Sequence, residues 1–204
     1  MNERQHAPAV TVSIRMVCQI LDRLGEHRPL ALECVERAGI ASALLEHESA
    51  RVTVEQFALF YRTLAVELDD ETPGLFSRPL RPGTLKFLCL GMLDAANLRV
   101  ALHRFCWFFR LVLDDLHFEL GEDEGLSRIA LVERVALQPH RPLILELMLM
   151  LVQGIASWMI ERKLLFARVD LAYPAPPHAG EYINMFAGPA CFDRPLTALY
   201  IEPA

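Results

Sequence analysis

The chain has no basic cluster. Its 20 lysines and arginines are scattered and outnumbered by 26 aspartates and glutamates, giving a formal net charge of −6. Holding a phosphate backbone needs a concentrated positive field, so this stretch is not expected to bind nucleic acid by itself. There is no HExxH, no GxSxG and no glycine-rich phosphate loop, and with them go the zinc-peptidase, serine-hydrolase and nucleotide-binding chemistries those motifs carry. The chain does not read as an enzyme, and no cofactor is expected. Cysteine is sparse and odd in number: Cys18, Cys34, Cys89, Cys106 and Cys191, with no CxxC and apolar neighbours. That pattern excludes a paired disulfide framework and fits free buried thiols in a reducing compartment. The opening MNERQHAPAV lacks the basic-then-apolar order of a secretory leader, so a cytoplasmic protein is expected. No internal repeat or low-complexity tract is present.

What the chain does have is apolar mass. Apolar residues are 53% of its 204, and mean hydropathy is +0.25, enough for a substantial core. The most apolar stretch, Pro142 to Lys163 (PLILELMLMLVQGIASWMIERK), is long enough for about six helical turns. Length and hydropathy would let it span a bilayer. Glu146 in mid-span is costly in lipid, and the β-like segments on both sides need a soluble partner, so a buried core helix is expected and no membrane.

Residues 1–10 read as a loose tail and 11–204 as a single domain. Apolar spacing predicts a helix over Thr11 to Leu24, stopped at Gly25, a second over Leu30 to Ala38 and a turn over Ser42 to Glu46. Thr53-Val54-Glu55-Gln56 is a capping box opening a helix to Leu68, with Phe57, Phe60, Tyr61 and Leu64 inward. Thr84 is expected to cap a helix to about Asp94, and Asn97 one from Leu98 to Leu113. Leu116–Leu120 and Leu126–Val135 flank the acidic turn GEDEG as a hairpin. Ala167–Tyr173 alternates as a strand, a short helix follows near Glu181–Phe186, and 188–193 and 197–202 look like further short strands. Helices first, then a small antiparallel-type sheet around a long helix: the class is α+β.

The segment from Cys34 to Phe57 imitates a helix-turn-helix, with a glycine at the turn. Its surroundings are Glu33, Glu36, Glu46 and Glu48, whereas a recognition helix needs basic and amide side chains facing a groove. On the helix after Asn97, Arg99, His103, Cys106 and Arg110 share one stripe, with Ala101, Phe105, Phe108 and Val112 opposite as the core face. His103 and Cys106 lie one turn apart, but no second pair completes four zinc ligands, so no metal site is expected. On the long helix Glu146 and Gln153 share a stripe that faces either water or a mostly apolar ligand pocket. Trp107 and Trp158 could wall such a pocket, and Arg110 could take a ligand carboxylate through its planar fork, or pair with Asp114 four residues on. The candidate ligand-binding residues are therefore His103, Trp107, Arg110, Glu146 and Gln153.

Three stretches form an ordered series: Gly39–Phe57, with its RVTVEQF cap; Ser77–Val112, with LRPGTL before a helix; and Asp170–Pro203, with a strand–AP–P–EY–F–G–P–F pattern. From about Val12 to Glu202 the chain resembles the N-terminal domain of AraC/XylS-type transcription regulators, the arabinose-binding-like kind that is not the cupin barrel. The signatures are packing and turn features and carry no catalytic or binding residue. The resemblance implies a bacterial sensor of a small-molecule effector that forms a homodimer. It also implies DNA contact only through a C-terminal domain of two helix-turn-helix units, expected to be missing from this chain, which then reads as a truncated piece or else as a natural stand-alone sensor. A ligand-free dimerisation module is the alternative.

Overall fold

The computed structural model describes residues 11–202, so the tail expected over 1–10 lies outside the described residues. The chain divides into two compact units. The first runs to Leu75 and adds Pro79–Pro82; the second comprises Phe76–Arg78 and everything from Gly83.

In the first unit, residues 11–13 are a strand, not the start of a helix. β1 (Thr11–Ser13) pairs antiparallel with β2 (Arg51–Thr53), Val12 opposite Val52. Ser13 then caps α1 (Ile14–Arg23), its hydroxyl accepting from the Arg15 N–H, which is why the helix begins later than its apolar spacing suggested. Gly25, at φ +50°, ends it. α2 (Arg28–Arg37) and a 3-10 turn over Ser42–Glu46 follow. α3 (Val54–Glu67) opens with the capping box: Thr53 Oγ1 accepts from Gln56 N at 3.1 Å, and Gln56 Oε1 accepts from Thr53 N at 3.0 Å. Of its expected inward residues, Phe60 and Leu64 are fully buried and Phe57 and Tyr61 half-buried. The chain after α3 is pinned by buried Asp70, whose carboxylate accepts from Thr72 N and Oγ1, Gly74 N and Leu80 N.

The second unit begins with α4 (Thr84–Met92). Gly83, left-handed at φ +99°, holds the N-cap position expected of Thr84. Asn97 caps α5 (Leu98–Val112) by accepting from Val100 N at 3.0 Å. β3 (Leu116–Asp123) and β4 (Leu126–Glu133) form the hairpin. Its connection is only Glu124-Gly125, both at positive φ, the two-residue geometry that suits strand twist. The strands therefore run further into the acidic turn than the GEDEG pattern implied. α6 (Arg141–Met159) leads to β5 (Arg168–Asp170), a 3-10 turn, α7 (Tyr182–Met185), β6 (Ala190–Cys191) and β7 (Thr197–Ile201). The sheet order is β3-β4-β7-β5-β6, antiparallel except for the β5–β6 pair. The fold is α+β.

Alternate residues of a strand face opposite sides, and here the two sides differ. Phe118, Leu131, Ile129 and Leu199 share the face on which α5 packs: Phe118 meets Phe105 at 4.9 Å and Phe109 at 5.2 Å between ring centroids. These three rings are buried, and removing one would cost about 3–5 kcal/mol. The other face carries polar chains, with the Arg168 guanidinium 4.1 Å from the Tyr200 ring centre and paired to Asp170 and Glu124, each at 3.0 Å. α6 is the one helix among the described residues long and apolar enough to cross a membrane. It packs on α5 and β7, and Leu143 to Leu149 is buried without a break, as in a core helix.

Candidate functional site

Two openings in the second unit run along α5. Asn97 fixes where this helix starts, so its 3.6-residue period puts Leu102, Phe105, Cys106 and Phe109 against the core and His103, Trp107 and Arg110 outside. Cys106 is buried, as its apolar neighbourhood suggested, its thiol pushed up to about 12 by burial, whereas Phe108, expected on the core face, is only half-buried. The reason is Phe118, which draws Phe105 and Phe109 inward and turns the helix by part of a turn.

His103, Trp107 and Arg110 come together. They line a cleft of about 230 Å³ with Phe118, Glu119 and Leu120 of β3. Trp107 Nε1 donates to His103 Nε2 at 3.3 Å, and the Arg110 guanidinium carbon is 5.9 Å from the Trp107 ring centre. Trp107 is 54% exposed. A second cleft of about 590 Å³ adjoins the first, sharing His103 and Leu120; Leu98, Leu102, Ile129 and Ile201 make its lining mainly aliphatic. Arg110 does not pair with Asp114, which stands 3.7 Å from Arg78. The other α5 arginines are neutralised, Arg99 by Glu122 at 2.9 Å and Arg104 by Asp94.

Glu146 and Gln153 belong elsewhere. Glu146 is 2% exposed, so its edge of α6 faces neither water nor the α5 clefts. Its carboxylate accepts from the hydroxyls of Tyr173 (3.2 Å) and Tyr182, which lie 3.2 Å from each other. Burial raises its pKa to about 7; the two hydroxyls partly oppose this, and Glu181 adds to it. Both phenols are held far above their ordinary range by burial and by the neighbouring carboxylate. Gln153 grips the same segment one face on, its Nε2 donating to Met185 O at 3.1 Å and its Oε1 accepting from Ala187 N at 3.0 Å. Both polar side chains thus hold residues 173–187 onto α6. Trp158 is 53% exposed near the helix end, away from Trp107's cleft.

The sequence reading passed over His117 and Glu119. Arg134 Nε donates to His117 Nδ1 at 3.3 Å, which leaves the ring proton on Nε2, donating to Glu119 Oε1 at 2.9 Å. Their signal was the period-2 spacing in LHFEL, which places both on the sheet face opposite Phe118. Tyr173 and Tyr182 could have been sought as the partners that a lone carboxylate in an apolar helix requires. No group of three or more His, Cys, Asp or Glu placed to hold a metal occurs among the described residues.

The AP–P–EY–F–G–P–F signature acquires a physical meaning here. Tyr173 and Tyr182 donate to the Glu146 carboxylate, Phe186 and Phe192 pack on those two rings, and a side chain at Gly188 would run into the Phe166 carbonyl. Residues 31–204 match the family described as the arabinose-binding domain of AraC transcription regulators, N-terminal. The chain belongs to this family. An ornithine utilization regulator of Pseudomonas aeruginosa is 23% identical over 196 residues, 96% of this chain, and the chain spans 58% of that protein's length. Membership in the arabinose-binding family makes this a ligand-sensing regulatory domain in kind. The polar cluster around Glu146 fastens 173–187 to α6, and the α5 clefts are open to the outside.

Proposed function

We propose that this chain is the effector-sensing and self-associating part of a cytoplasmic bacterial AraC-type transcription regulator. A small molecule binds along α5, against β3, and biases a conformational or dimer equilibrium that a helix-turn-helix part of the regulator reads out on DNA. The observation that carries this reading is the pair of adjoining clefts, mostly aliphatic with a few convergent polar groups, the usual make-up of a small-molecule site. His103, Trp107 and Arg110 contact the ligand. Glu146 and Gln153 act at one remove by holding 173–187 in place. The P. aeruginosa relative's name supports a metabolite as effector, and the ligand's own chemistry has to come from the cleft.

The test is a thermal-shift screen of this chain with amino acids, fatty acids and aromatic acids, run beside light scattering. A ligand at a hundredfold its Kd should add about 2.7 kcal/mol of stability. Trp107→Ala, which removes an exposed wall of the cleft, should weaken or abolish the shift in a folded protein. A broad panel without any shift, together with a dimer whose mass no compound changes, would leave a ligand-free dimerisation module instead. Phe87 and Leu111, 72% and 73% exposed on neighbouring helices, are apolar surface that a second copy would cover.

A further inference from the structure

We infer that the α5 clefts take an amphipathic monocarboxylate, its head on Arg110 and its hydrocarbon body running back along the helix toward Leu98. This rests on the reading that a ligand binds there and adds what kind.

The polarity of the site decides the orientation. Three arginines project from α5, and Arg99 and Arg104 already face carboxylates of the chain. Arg110 has its natural helical partner Asp114 drawn away by Arg78 and stands over Trp107 without an ion pair among the described residues. An unpaired guanidinium beside an indole, in a cleft, matches a ligand carboxylate in both charge and shape. Glu119 lines the same cleft, but its carboxylate accepts from His117 at 2.9 Å and forms no ion pair with Arg110 among the described residues. It therefore does not neutralise Arg110. At the opposite end Arg99 is paired with Glu122 and the further charge lining the cleft is the carboxylate of Glu202, so no anionic head group is called for there.

Between the ends the lining is aliphatic: Leu120, Leu102, Ile129, Ile201 and Leu98. Arg110 to Leu98 is twelve residues, about 18 Å along a helix, longer than an extended medium-chain acid, so chains of six to ten carbons lie within it. A hydrocarbon body gains from burial in proportion to its length, and the carboxylate gains only from Arg110. Chain length and head group therefore act through separable residues.

The experiment uses Trp107 as reporter. The chain has 2 tryptophans, so a Trp158→Phe protein reports from Trp107 alone. Its fluorescence is titrated with hexanoate, octanoate and decanoate, and with octan-1-ol and octylamine as head-group controls. The expected result is a saturable blue shift, with affinity rising about fourfold per added methylene until the cleft is filled. Octanoate should outbind both controls, and Arg110→Gln should cost octanoate about tenfold or more while leaving octan-1-ol unchanged. Equal binding of octanoate and octan-1-ol, or octanoate binding indifferent to Arg110→Gln, overturns the carboxylate assignment and leaves the ligand site standing. No saturable binding by any of the three acids overturns it as well. If the broader screen is also blank, the ligand-sensing reading falls with it.

Discussion

Replacing Glu146 by Gln should change how stability depends on pH, in a direction opposite to that of most carboxylates. An acid that is ion-paired in the folded state has its pKa lowered and loses stabilisation as pH falls. Glu146 has no cation beside it. It is enclosed by α6 and by the rings of Tyr173 and Tyr182, with Glu181 the nearest further charge acting on it. Its pKa rises from 4.5 to about 7, so in that interval the folded protein holds a proton that the unfolded chain has released. Stability from this group is fully present below pH 4.5, falls as pH rises, and levels off above about pH 7. The displacement corresponds to about 3 kcal/mol. Gln keeps an oxygen for the two hydroxyls and cannot ionise. Relative to Glu146→Gln, the native protein should therefore lose about 3 kcal/mol between pH 4.5 and pH 8, or roughly 6–12 °C in Tm for a chain this size. Whatever fixed cost the amide adds cancels when the two pH values are compared, as do the other titrating groups. Thermal and urea melts of both proteins at the two pH values measure it. A stability difference that does not change with pH, or one that favours the native protein more at pH 8, would refute the picture of an isolated, desolvated carboxyl.

Three other substitutions test the first unit. Asp70→Ala strips one acceptor group from four donors, three of them backbone N–H groups at 2.9–3.0 Å, and should cost roughly 3–5 kcal/mol in urea denaturation; a loss under about 1 kcal/mol would mean water replaces the carboxylate freely. Thr53→Ala should cost about 1 kcal/mol as a lost helix cap. Gln56→Ala should cost more, because its amide also donates to Gly39 O at 2.7 Å and so ties α3 to the end of α2; the reverse order would show that the tie contributes nothing.

What the sequence disclosed was what is local. The capping box at Thr53, the Asn97 cap, the turn at Ser42–Glu46 and the hairpin all depend on residues within a few positions of each other, and all formed as read. The misreadings share a non-local cause. Residues 11–13 are a strand because their partner is Arg51–Thr53, about forty residues away. Phe108 is only half-buried because Phe105 and Phe109 are the rings that pack on Phe118 of the next strand. Glu146 and Gln153 were legible as anomalous polar residues in an apolar helix, but not as internal fasteners, since their partners lie 27 to 36 residues on. The cleft's arginine could be picked out; that its rival partner Asp114 is taken by Arg78 could not.

The order in which the chain visits its two units has a consequence for inheritance. It leaves the first after Leu75, returns at Pro79 and leaves again after Pro82. Each short stretch is anchored where it belongs: Ser77 donates through its N–H and hydroxyl to Asp115 in the second unit, and Leu80 N donates to Asp70 in the first. No single crossover between two related genes can transmit both units whole. A junction before Phe76 separates Asp70 from its own Leu80; one after Pro82 separates Asp115 from its own Ser77. Hybrids between regulators of this kind should tolerate exchange only where these two anchors match, so the two units travel as one heritable piece.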